Sequence, residues 1–129
     1  MGKILVVDNH FGIRRLLFDA FQEDQHEVKM AANGLEALKL FMALEPDLIV
    51  MAMKMPGMNG LETLEKIRSL DCRVAVIMMK DYGDPQNMEQ AKELGILYYM
   101  DKPFDLFELR EQVKEIFNSS GIITKGLTG

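Results

Sequence analysis

The sequence predicts an α/β fold: a five-stranded parallel sheet with five helices on its two faces. Two observations carry this. Short apolar runs of strand type alternate with segments of helical spacing along almost the whole chain. Strict alternation of this kind is what a parallel sheet with crossover helices requires. In addition, the first, third and fourth runs are nearly all apolar, as strands buried on both faces must be, whereas the second carries Glu27 and Lys29 and suits a sheet edge.

The elements follow in order. "KILVV" (Lys3–Val7) is the first strand, and Ile13, Leu16, Leu17, Ala20 and Phe21 then recur at helical spacing. "EVKMA" (Glu27–Ala31) is the second strand, preceded by His26, which is expected to be solvated. "NGLEALKLF" opens the second helix, with Leu35, Leu38, Phe41 and Met42 as its apolar face. "DLIVMA" (Asp47–Ala52) is the third strand, and "NGLETLEKI" opens a helix carrying Leu61, Leu64, Ile67 and Arg68. In both helix openings an Asn can cap free amides, and a Glu three residues on can bond back; Asp105 and Glu108 repeat the device. "RVAVIMM" (Arg73–Met79) is the fourth strand. Asp84-Pro85 then supplies a cap and a first-position proline, and "PQNMEQAKELG" ends on Gly95 as a C-cap. "ILYYM" (Ile96–Met100) is the fifth strand, and Leu106, Leu109, Val113 and Ile116 mark the last helix.

Composition narrows the function classes. The 129 residues suit one domain, expected over 1–118 with a flexible C-terminal tail over 119–129. A net charge of -5 argues against a nucleic-acid binder. No apolar run is long enough to span a membrane, and the start lacks the layout of a secretory signal, so a cytoplasmic location is expected. Cys72 is the single cysteine, which leaves no internal disulfide and no cysteine-based metal cluster. Met51, Met53, Met55 and Met58 suggest thioether ligands at first sight, but eleven methionines across the chain read better as adaptable core filler.

In folds of this class, function gathers at the carboxyl ends of the strands. There, "ILVVDN", "PDLIVMAMKMPGMNG" and "DKPFD" together resemble the receiver domain of bacterial response regulators, over about Lys3 to Asn118. The runs "HFGIRRLLFDAFQ", "AANGLEAL", "KELG" and "KPFD" look most similar to the single-domain receivers of the sporulation phosphorelay. The resemblance implies the strand order 2-1-3-4-5. It also implies a chemistry: an aspartate at the end of the third strand takes a phosphoryl group from a phosphohistidine, two acids after the first strand and a backbone carbonyl hold Mg²⁺, a hydroxyl after the fourth strand bonds a phosphoryl oxygen, and a lysine after the fifth neutralises its charge. Such transfer is mostly positioning and charge stabilisation, and a hard cation takes oxygen ligands.

Carried over residue by residue, that site is degenerate. Ala52 stands at the phosphoacceptor position, Asn9 at the second acid and Lys80 at the hydroxyl, leaving Asp8, the Lys54 carbonyl and Lys102, which is followed by Pro103. An alanine cannot accept phosphate. It fits natural loss, which the departures at Asn9 and Lys80 favour, or an engineered block of an active relay protein. No metal is expected at the vestigial Asp8, Asn9 and Lys54 set, and Lys80 and Lys102 are both expected to converge on Asp8. His10 has no evident partner triad. By resemblance, the surface that meets a sensor histidine kinase or a histidine phosphotransferase falls on His10, Phe11, Gly12, Ile13, Leu16, Pro103 and Phe104. Arg14 and Phe18 extend it, since exposed aromatics beside arginines anchor partners; Tyr82 is counted with them, as is Tyr99, which by resemblance stands at the aromatic position whose rotamer tracks activation. The expected function is a phosphorylation-independent docking module of the relay, in monomeric form. An active relay intermediate with a substituted acceptor and a metal-binding or structural protein are the alternatives.

Overall fold

The computed structural model of the chain describes residues 2–71, 73–81 and 88–119; Cys72, Tyr82, the Asp84-Pro85 cap and the tail beyond Ser119 lie outside them. Five strands and five helices alternate: β1 (Lys3–Val7), α1 (Phe11–Glu23), β2 (Glu27–Ala31), α2 (Gly34–Leu44), β3 (Leu48–Ala52), α3 (Gly60–Leu70), β4 (Ala75–Asp81), α4 (Met88–Glu93), β5 (Tyr98–Lys102) and α5 (Leu106–Ser119). All four strand pairings are parallel, and the order is β2-β1-β3-β4-β5, with polar β2 at the edge.

Alternation along the central strands divides the core in two. Leu5, Val7, Ile49, Met51, Val76 and Met78 face α2, α3 and α4, meeting Phe41, Leu64, Ile67 and Ala91. Ile4, Val6, Leu48, Val50, Ile77 and Met79 face α1 and α5, meeting Leu17, Phe21, Leu109, Val113 and Phe117. The period of two in side-chain direction produces this split, because both faces of a parallel sheet are covered. Met51, Met53 and Met55 are buried, as core filler should be.

Three expectations need correction. The inner face of α2 is Ala37, Phe41 and Leu44, whereas Leu35 and Met42 stand in solvent at 61% and 65% exposure. Small Ala37 was hidden by larger apolar neighbours on the outer face. In α1, Leu16 is exposed while Phe18 is half-buried against the core, the reverse of the expected pair. His26 is buried rather than solvated: its Nδ1 accepts the Gly2 amide at 3.1 Å, and its ring lies 4.7 Å from that of Phe117. Burial pushes its pKa below the ordinary histidine value.

The strand ends also shift. β4 starts at Ala75 and continues to Asp81, and β5 runs from Tyr98 to Lys102. The apolar runs stop earlier because Lys80 and Asp81 pair in register with Asp101 and Lys102, so charged residues carry the last rungs of the ladder.

The helix caps behave as their chemistry dictates. Asn59 and Glu62 form a full capping box at α3, with bonds of 2.9 and 3.0 Å. At α2 the Asn33 side chain accepts from Glu36 N, but the Glu36 carboxylate turns back to the Ala32 amide at 2.6 Å instead. Asp105 Oδ1 accepts the Glu108 amide ahead of α5. Gly95, with φ +84°, ends the α4 segment in the left-handed region.

Candidate functional site at the carboxyl ends of the strands

β1 stops at Val7, and the chain turns through Asp8, Asn9 and His10 into α1, for which His10 is the N-cap residue. Asp8 has no solvent exposure. Its Oδ1 accepts the His10 amide at 2.9 Å and lies 3.2 Å from His10 Nδ1, and its Oδ2 accepts from Lys102 Nζ at 2.8 Å. Arg14, one turn into α1, donates to the Asp8 carbonyl at 2.8 Å. A buried carboxylate is tolerated only when paired and hydrogen-bonded, and here both oxygens are satisfied.

Lys102 comes from the last residue of β5, and its peptide bond to Pro103 is cis. Lys80 does not join it. Its ammonium pairs with Asp101 on the adjacent strand, so one lysine, not two, reaches Asp8. Strand geometry explains this: Lys80 and Asp101 are register partners, so the carboxylate nearest to Lys80 is directly across the ladder.

Ala52 ends β3, fully buried, with its amide neighbour Met53 N bonded to Met79 O at 2.7 Å. The following turn brings Gly60 against this strand end. A Cβ on Gly60 would stand 2.3 Å from Ala52 O, so only glycine allows α3 to begin there. Lys54 is exposed and lies 3.8 Å from Asp81.

Between these strand ends opens a pocket of roughly 490 Å³ lined by Asn9, His10, Lys54, Met55, Pro56, Asp81 and Lys102. Asn9 Oδ1 is buried with no hydrogen-bond partner among the described residues. Among the described residues, no three His, Cys, Asp or Glu side chains come together in a way that could hold a metal ion. Sequence reading missed the contact of His10 with Asp8 and the part of Asp81 in the pocket wall. The first was legible as a histidine two residues after a strand-end aspartate; the second was legible too, since Lys80-Asp81 directly follows the fourth apolar run.

The expected docking residues divide. Phe11 is 66% exposed with the Arg14 guanidinium 5.5 Å from its ring centre, and Gly12, Leu16 and Pro103 are exposed too. Ile13, Phe18 and Phe104 rest partly buried against the core. Tyr99 lies on β5 with the ammonium groups of Lys80 and Lys92 at 6.0 and 5.8 Å from its ring, away from α1 in sequence and strand position. Tyr82 lies outside the described residues.

The chain matches the response regulator receiver domain family over residues 4–114. It is 42% identical over 113 residues to the sporulation initiation phosphotransferase F of Bacillus subtilis (strain 168), covering 88% of this chain and 91% of that protein. Among solved structures it resembles a response regulator receiver domain protein from Clostridium thermocellum, with a TM-score of 0.84, 27% identity and full coverage of both chains. It also resembles the response regulator TrrA of Thermotoga maritima in complex with Mg²⁺ and BeF, with a TM-score of 0.78, 35% identity and coverage of 90% and 99%. The fold, the strand order and these matches agree, and the chain belongs to the response regulator receiver domain family of two-component signalling.

Proposed function

We propose that this chain is a receiver of the sporulation-phosphorelay type that docks a histidine kinase or histidine phosphotransferase without being phosphorylated at the usual position. One observation carries the reading: the strand end that would present the acceptor carboxylate holds buried Ala52, which has no nucleophile. The rest of the site supports it. Asp8, whose counterpart in the family helps hold Mg²⁺, has both oxygens engaged, one by the Lys102 ammonium. Asn9 offers a neutral oxygen in place of a second carboxylate, and the donor set does not fit a hard divalent ion. The internal ammonium stands in for the external cation and keeps the scaffold stable.

The docking surface is then Phe11, Gly12, Leu16 and Pro103, supported from below by Ile13 and Phe104, with Phe11 and Arg14 as the aromatic and cationic anchors. We assign the chain to the cytoplasm, where such relays operate. Among the described residues no helix is long and apolar enough to cross a membrane.

The test is incubation with a phosphorylated sporulation-type histidine kinase. The chain should bind the kinase yet acquire no hydroxylamine-sensitive acyl phosphate. Appearance of such a phosphate would overturn the proposal.

A further inference from the structure

We propose that His10 is a nucleophile: its Nε2 accepts a phosphoryl group from a phosphoramidate-class donor in the pocket beside Asp8. This does not rest on the docking role. Three features carry it. First, Asp8 and His10 form an oriented pair. A carboxylate only accepts hydrogen bonds, so in the neutral ring the Nδ1 of His10, 3.2 Å from Asp8 Oδ1, is the donor and Nε2 bears the lone pair. Asp8 is itself held by Lys102 and by the His10 amide, so the orienting group cannot drift. A nucleophile fixed by a base-side partner that is in turn fixed is the general form of an activated side chain.

Second, the imidazole is both reachable and inside a site. The His10 side chain is 65% exposed, yet it lines the roughly 490 Å³ pocket. Third, that pocket is furnished for a phosphoryl group. Lys54 and Lys102 line it with His10, and α1 begins just after His10, whose own side chain does not cap the helix and which is followed by no acid in the first turn. Asp81 is the opposing charge in the wall, and Lys54 at 3.8 Å partly offsets it. Positioned cations and helix amides stabilise the charge that transfer develops.

The step balances without a further reagent. Nε2 attacks phosphorus, the P–N bond of the donor breaks, and the leaving amine takes a proton from water. The ring keeps its Nδ1 proton against Asp8, whose negative charge balances the cationic ring that the new N–P bond creates. No residue at position 52 is needed.

The chain has two histidines, and His26 is buried with Nδ1 occupied, so an assignment to His10 is clean. The probe is inorganic phosphoramidate, with the product followed by ³¹P NMR and intact mass. The expected result is one alkali-stable, acid-labile, hydroxylamine-resistant phosphate per chain. It should form at least about tenfold faster than on the same chain unfolded in urea, given what fixed orientation contributes. His10→Gln should abolish it, and Lys102→Met and Asp8→Asn should slow it, with circular dichroism confirming that each variant is folded. Labelling that persists in His10→Gln, or a folded rate equal to the unfolded rate, would overturn the assignment. The second outcome holds even where the Asp8 variant fails to fold.

Discussion

Asp8 and Lys102 join the ends of β1 and β5, and neither is free to find water: the two side chains are 0% and 14% exposed. Removing one partner of such a pair strands the other charge. Asp8→Ala should therefore cost about 3 kcal/mol in urea unfolding, because it strands the Lys102 ammonium and leaves the His10 amide without its acceptor. Stabilisation by this change would contradict the pairing. His26 makes a pH-dependent contribution at the opposite end of the sheet. Its folded pKa lies below the unfolded value of about 6.5. The unfolded chain thus binds the proton more readily, so this contribution is complete above about pH 6.5 and is lost as pH falls from there through the folded value. Melts between pH 7.5 and 5 should show that decline, and His26→Phe should remove it. At single residues the sequence was only partly legible. Ala52, Asn9 and Lys102 stood where the strand ends put them. The buried state of His26 was not, because it depends on Gly2 and Phe117, which are remote in sequence from it and from each other.

Among the elements, α3 shows how local chemistry and packing combine. Its capping box satisfies two orphan amides, so Asn59→Ala should cost about 1 kcal/mol. Gly60→Ala, one residue on, should cost more, about 2–3 kcal/mol, since the new methyl would meet the Ala52 carbonyl and the Met53 Cα, which are backbone and cannot yield. Equal thermal shifts for the two variants would contradict the close approach of α3 to the end of β3. α1 and α5 are tied by Arg110, which holds Asp24 through a bidentate bond and draws its carboxyl below the usual carboxylate range. That tie contributes stability above the unfolded carboxylate value and loses it as pH falls through the lower folded one. Element type was legible throughout because the periods of 2 and 3.6 are distinct over these lengths. Element ends and helix faces were less so. β4 and β5 continue through charged residues that are register partners across the ladder, and α2 turns its small Ala37 inward while Leu35 and Met42 face water. Neither fact is visible without the partner strand or the sheet surface.

Across the whole molecule, the two core layers and the five parallel strands form a rigid platform whose upper edge carries one carboxylate already matched to one ammonium. A ligand stabilises a fold only by binding it, so a site with this donor set should be indifferent to magnesium. At neutral pH, millimolar Mg²⁺ should move the melting temperature by less than about 1 °C, the shift expected when concentration stays well below the dissociation constant. Ala52→Asp with Asn9→Asp should restore a magnesium response, since a second and a third carboxylate then join Asp8. The central claim is that docking is independent of a phosphoryl group at position 52. Its most direct test is the affinity of the chain for a helical-bundle histidine phosphotransferase, measured by titration calorimetry with and without Mg²⁺ and beryllofluoride. The account predicts the same affinity in both conditions and a loss of about tenfold on Phe11→Ala, consistent with truncation of an interface anchor. An affinity that changes when Mg²⁺ and beryllofluoride are added would contradict it.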